Sequence, residues 1–161
     1  MKTSKKTNRG ILFIALPLFL ALQEANAQPD KATVKTCVES KQFIFHPQTA
    51  LPTSGRSRTL TSDYNLRIMP DSLVSYLPYY GRAYSTSYGA GEGGFNFTSI
   101  KFDYAASPGK KNGWTISIKP KDVSDFREFS LSLSDNGYGT LQAFTNNRQP
   151  ISFTGYITEI K

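Results

Sequence analysis

Reactive side chains are scarce in this chain, whose 161 residues hold one histidine and one cysteine. A lone cysteine, Cys37, cannot close an intrachain disulfide, so the fold must hold through its core. A lone histidine, His46, cannot by itself build a zinc site, and it leaves no Ser-His-Asp set to be argued from spacing. Basic runs are short: beyond the first 27 residues none exceeds Lys110-Lys111. The formal charge of +7 includes four basic residues and one acid in those first 27, so the remainder carries +4, from 15 basic and 11 acidic residues. A balance this modest does not indicate a nucleic-acid surface. Long apolar runs are missing too, apart from Ile11 to Leu22.

That single run reads as an export signal. Lys2, Lys5, Lys6 and Arg9 precede it, and Ala25-Asn26-Ala27 supplies a small-x-small cleavage site. The run falls short of the ~20 residues of a membrane span. The expected mature chain is therefore one domain from about Gln28 to Lys161, periplasmic or secreted, with no membrane span. Cys37 lies well past the cleavage site, which argues against a lipid anchor.

What the sequence does hold is tyrosine and β pattern. Five of nine tyrosines, Tyr76, Tyr79, Tyr80, Tyr84 and Tyr88, fall in one short stretch. Each pairs an apolar ring with a polar hydroxyl, which suits a half-wet pocket wall as well as a core. Pro78 lacks an amide donor and breaks a strand expected over Leu73 to Leu77. The loop that follows, Tyr84 to Gly94, is rich in glycine, but no Lys-Ser or Lys-Thr and no helix follows it, which sets aside a phosphate loop.

Val34, Cys37 and Val38 recur at helical spacing and predict a short amphipathic helix over 30–42, with Cys37 as a buried small hydrophobe. Phe43 to His46 starts an extended segment punctuated by Pro47 and Pro52, and Thr53 to Thr59 reads as a loop. Leu60 to Ile68 then alternates, with Pro70-Asp71-Ser72 turning into the next strand. Phe95 to Tyr104 alternates with apolar residues on both faces. Trp114, Ile116 and Ile118 share one face, as do Phe129, Leu131 and Leu133. Asn136-Gly137 marks a tight hairpin, and the last strand, from Ile151 to Ile157, carries Gly155 as a bulge candidate. About eight strands with one N-terminal helix predict a mainly β fold, an antiparallel β-sandwich or a curled β-barrel.

Leu77-Pro78-Tyr79-Tyr80-Gly81-Arg82-Ala83-Tyr84 closely resembles a signature of the exported bacterial family catalogued as domain of unknown function 4251. Arg148-Gln149-Pro150-Ile151-Ser152-Phe153-Thr154-Gly155 is similar to that family's C-terminal segment. The resemblance covers essentially the whole mature chain. It implies a small, exported, envelope-associated protein and brings no reaction, cofactor or catalytic residue with it.

Convergent reactive groups are hard to find. Asp63, Asp71, Glu92, Asp103, Asp122, Asp125, Glu128 and Asp135 could include a glycosidase-type pair, but nothing in their spacing selects one. A hydrolase is thus the lesser expectation, and neither cofactor nor metal is expected. The favoured expectation is a non-catalytic small-ligand-binding module of the envelope. In it Tyr76, Tyr79, Tyr80, Arg82, Tyr84, Tyr88 and Arg148 would hold a small amphiphilic or acidic ligand by stacking and bidentate hydrogen bonds. The alternative is a protein-interaction or structural envelope module with the tyrosines as a docking patch. Geometry separates them: a concave tyrosine-lined cavity, a flat exposed patch, or rings packed against Trp114 and Phe129.

Overall fold

The computed structural model describes residues 30–82 and 93–160. The predicted helix forms as α1 (Lys31–Ser40). Asp30 caps it by accepting a hydrogen bond from the Thr33 amide at 2.8 Å, which satisfies an orphan donor and holds the carboxyl below its usual range. Lys41, at φ 58, ends it in the left-handed conformation. Val34, Cys37 and Val38 are buried, as their spacing requires, and burial pushes the Cys37 thiol pKa up.

The rest is one sheet. Strands β1 (Phe43–Pro52), β2 (Arg58–Thr59), β3 (Asn65–Ile68), β4 (Leu73–Leu77), β5 (Phe95–Ser99), β6 (Phe102–Pro108), β7 (Trp114–Pro120), β8 (Phe126–Leu133), β9 (Tyr138–Thr145) and β10 (Ile151–Glu159) follow in chain order. Their order in the sheet is β5-β4-β3-β1-β10-β9-β8-β7-β6, all pairs antiparallel, with β2 added to β1. β5 and β6 lie at opposite edges, yet only Ile100 and Lys101 separate them in the chain. One bent strand thus serves both edges, and the sheet curls into a nearly closed barrel. Of the two predicted architectures, this is the barrel.

The bend is clamped. The Asp122 carboxylate accepts from the Ser99 hydroxyl and from the Ile100 amide, the latter at 2.9 Å, and the Lys121 amide donates to Lys101 O at 2.7 Å. These bonds hold the Asp122 carboxyl pKa below its usual value. The bend also shifts the side-chain phase by one residue. Phe95 and Ser99 are buried before it, whereas Phe102 and Tyr104 are the half-buried residues after it. That shift is why the sequence shows apolar residues on both faces of what reads as one strand.

Side chains fill the barrel. Phe43, Phe45, Phe129 and Phe153 have no exposed surface, and neither do Leu66, Ile68, Ile116, Ile118, Leu131 and Leu141. Each buried ring or branched side chain contributes roughly 1.5–3 kcal/mol. α1 lies at the end where β1 begins: Tyr104 donates its hydroxyl to the Val38 carbonyl at 2.9 Å, and Lys31 sits 3.6 Å from Asp135 in the β8–β9 turn.

Several boundaries differ from the sequence reading. β1 continues through Pro47 to Pro52 because the register slips between Pro47 and Thr49, a bulge that spares the proline a ladder bond. The extra residue is Gln48, so the bulge lies in β1, and the predicted bulge residue Gly155 pairs with Pro47 beside it. Two residues of the predicted 53–59 loop form β2, and the strand expected from Leu60 begins only at Asn65. Gly155 permits the close approach of β1: a β-carbon there would collide with the His46 carbonyl. Gly155→Ala should therefore cost roughly 1–3 kcal/mol in chemical denaturation. Gly93→Ala, with open space around it, should change stability far less.

Candidate functional site

The sequence-nominated residues divide at Pro78. Tyr79 turns toward the end of the barrel opposite α1, where its ring meets Phe95 edge-on at 5.4 Å. Phe95 in turn packs on Phe126, and Phe126 on Phe129 at 4.2 Å, so this tyrosine caps the core. Its hydroxyl lies 2.8 Å from the Arg82 carbonyl and 3.1 Å from that of Gln149, binding the exit of β4 to the β9–β10 turn.

Arg148 completes that seal. Its guanidinium stands 5.2 Å from the Tyr79 ring and 5.8 Å from Phe95, and Nη1 donates to the Gly94 carbonyl at 3.3 Å. Arg82 is exposed, and among the described residues its carbonyl is the engaged group, taking the Gln149 amide at 3.0 Å. Arg148→Ala should then cost roughly 1–2 kcal/mol through the lost stacking and hydrogen bond. Arg82→Ala should leave the melting temperature nearly unchanged; differential scanning calorimetry separates the two.

Tyr80 is partly buried and packs at the edge of the core beside Tyr64. Arg58 lies 4.7 Å from its ring, and burial together with the neighbouring Tyr64 pushes its phenol pKa up, with Arg58 opposing. Tyr64 packs against Tyr76 at 5.2 Å, and Tyr76 is 47% exposed. Among the described residues these rings form a cluster beside β3 and β4. Tyr84 and Tyr88 lie outside the described residues.

A concave site lies elsewhere, on the outside of β7 to β10. It is an open groove of about 710 Å³ lined by Gln48, Lys110, Trp114, Thr115, Ser132, Leu133, Ser134, Tyr138, Gly139, Thr140, Thr154 and Gly155. Register explains its floor. Thr115 pairs with Ser132, Ser132 with Thr140, and Thr140 with Thr154, so four hydroxyl residues line up in one row across four strands. Strands ~4.8 Å apart make that row roughly 14 Å long. Gln48 extends it from the bulge of β1. The lining contains no carboxylate and a single cation, Lys110. Among the described residues, the side chains of Gln48, Thr115, Ser132, Thr140 and Thr154 make no hydrogen bond to the protein and remain available to a ligand.

Sequence reasoning missed this groove. The alternation of Ser130, Ser132 and Ser134 with leucines is visible in the sequence, but alternation alone describes any solvated face. Only register brings four such residues into one row.

Of the acids named from the sequence, Glu92 lies outside the described residues, and several of the others are engaged at separate places. Asp122 holds the bend, Asp103 pairs with Lys121 at 2.7 Å, and Asp135 pairs with Lys31. Glu128 accepts from Ser117 at 2.7 Å and lies 3.8 Å from Lys119. Among the described residues no cluster of three or more His, Cys, Asp or Glu side chains is placed to hold a metal. No helix among them is long and apolar enough to cross a membrane.

His46 projects from β1 with Nε2 2.9 Å from the Thr158 hydroxyl. Burial holds its pKa below the ordinary 6.5, with Asp63 opposing. The unfolded chain thus binds the proton more readily than the fold, so this group's contribution to stability falls as pH drops through 6.5. Melting curves across that range should show the loss in wild type and a shallower loss in His46→Gln.

The structure thus defines a filled antiparallel barrel with a capping helix, a sealed aromatic end and an open polar groove. A family model described as Domain of unknown function (DUF4251) matches residues 25–157, and the chain belongs to that family. The crystal structure of a DUF4251 family protein from Bacteroides eggerthii shares the fold. Its TM-score is 0.58 at 15% identity, covering 80% of this chain and 87% of that one. Among curated proteins, none matches the chain.

Proposed function

We propose that this protein is an exported, non-catalytic small-ligand-binding module of the cell envelope, and that the groove over β7 to β10 is its ligand seat. The observation that carries this reading is the row Thr115, Ser132, Thr140 and Thr154, uncommitted within the protein and set in an open groove of about 710 Å³. A pocket with a few convergent polar groups is the ordinary form of a ligand site. A lining without carboxylate or histidine favours holding a ligand over transforming it. Export rests on Lys2, Lys5, Lys6 and Arg9, the run Ile11 to Leu22 and Ala25-Asn26-Ala27.

The test is native mass spectrometry of the protein isolated from its own envelope. The polypeptide should begin at Gln28 and carry an added mass that Thr140→Trp removes by filling the groove, while Tyr80→Ala retains it. A bare chain, or an adduct that survives Thr140→Trp, would contradict the ligand seat.

The cluster of Tyr64, Tyr76 and Tyr80 with Arg58 favours a second reading, docking of an envelope protein, since exposed tyrosine and arginine dominate binding energy at such contacts. In-cell crosslinking that depends on Tyr76 and Tyr80 and ignores Thr140→Trp would put this reading first.

A further inference from the structure

The geometry points to a neutral saccharide chain as the ligand of this groove, an inference that rests on the groove being the ligand seat. Beside the hydroxyl row runs an aromatic one. His46 pairs with Tyr156 across β1 and β10, and Tyr156 with Tyr138 across β10 and β9, so the three rings share the outer face. His46 and Tyr156 are stacked, with centroids 5.3 Å apart and planes 23° from parallel, and Tyr138 meets Tyr156 edge-on at 6.2 Å.

Along each strand the outer face repeats every second residue. Tyr156 and Thr154 are such neighbours on β10, and Tyr138 and Thr140 on β9. The two rows therefore run side by side about 7 Å apart. Tyr138 belongs to both, because it lines the groove and packs on Tyr156.

Sugars present two kinds of surface, apolar C–H faces and hydroxyl edges. Aromatic rings accept the first, and neutral hydroxyls and amides, each able both to donate and to accept, satisfy the second. The outer face of β1, β10, β9 and β8 offers these in adjacent rows: His46, Tyr156 and Tyr138, then Gln48, Thr154, Thr140 and Ser132. Burial disfavours the charged form of His46, and the groove lining holds one cation, Lys110, at its edge and no carboxylate. At roughly 14 Å the hydroxyl row exceeds one sugar ring, which favours a short chain over a monosaccharide.

Isothermal titration of the chain from Gln28 with neutral hexaoses of glucose, mannose, galactose, xylose and N-acetylglucosamine tests this, with oligogalacturonate as the anionic comparison. At least one neutral hexaose should bind. Tyr156→Ala should weaken it at least tenfold, Tyr156→Phe should stay within about twofold of wild type, and the melting temperature of each variant shows that it is folded. Thr140→Val should also weaken binding. Absence of binding by every neutral hexaose at millimolar concentration, tighter binding of oligogalacturonate, or equal loss in Tyr156→Phe and Tyr156→Ala would overturn the assignment. If the envelope-derived mass still vanishes in Thr140→Trp while no hexaose binds, the ligand class is wrong and the groove stands. Loss of both results removes the groove as well.

Discussion

Closure of the barrel depends on one short bend. An open sheet of this length would leave two unpaired edges, with the pairing hazard that edges carry. Here the edges belong to one strand, joined through Ile100 and Lys101, and the Asp122 carboxylate fixes the joint by receiving Ser99 and the Ile100 amide. The curl brings Phe97 against Phe126 and Phe129, side chains from the two halves of the sheet. A clamp on the surface thereby organises an aromatic core.

A filled interior accords with the proposed ligand seat on the outer face. With Phe43, Phe45, Phe129 and Phe153 fully buried, one end closed by α1 and the other sealed by Tyr79 and Arg148, the barrel is a scaffold for its outer face. The concave region lies where the bulge at Gln48 and the close approach of Gly155 to β1 reshape the sheet. Rigidity suits such a site, since hydroxyls held by a ladder lose little freedom on binding.

Much of this was legible in the sequence, for physical reasons. The helix follows from Val34, Cys37 and Val38; the central strands follow from period two; the hairpin follows from Asn136-Gly137, where Gly137 takes φ 82. The resemblance carried by Leu77 to Tyr84 identified the family. What stayed hidden depends on the third dimension. Past Pro78, Tyr79 packs on Phe95 and Arg148 while Tyr80 meets Arg58 and Tyr64, so neighbours in sequence have different partners in space. Pro47 reads as a breaker until a bulge accommodates it. The phase shift at Ile100 looks like indecision between faces. The hydroxyl and aromatic rows come from strands far apart in the chain, and no local pattern fixes their register.

The proposed ligand seat is the outer face of β8, β9 and β10. Amide chemical-shift mapping of the isotope-labelled chain, titrated with ligand recovered from the host envelope, addresses it most directly. Perturbations should concentrate at Gln48, Ser132, Tyr138, Thr140, Thr154 and Tyr156, with Tyr64, Tyr76 and Tyr80 undisturbed. Shifts confined to those three tyrosines, or to Tyr79 and Arg148, would contradict it.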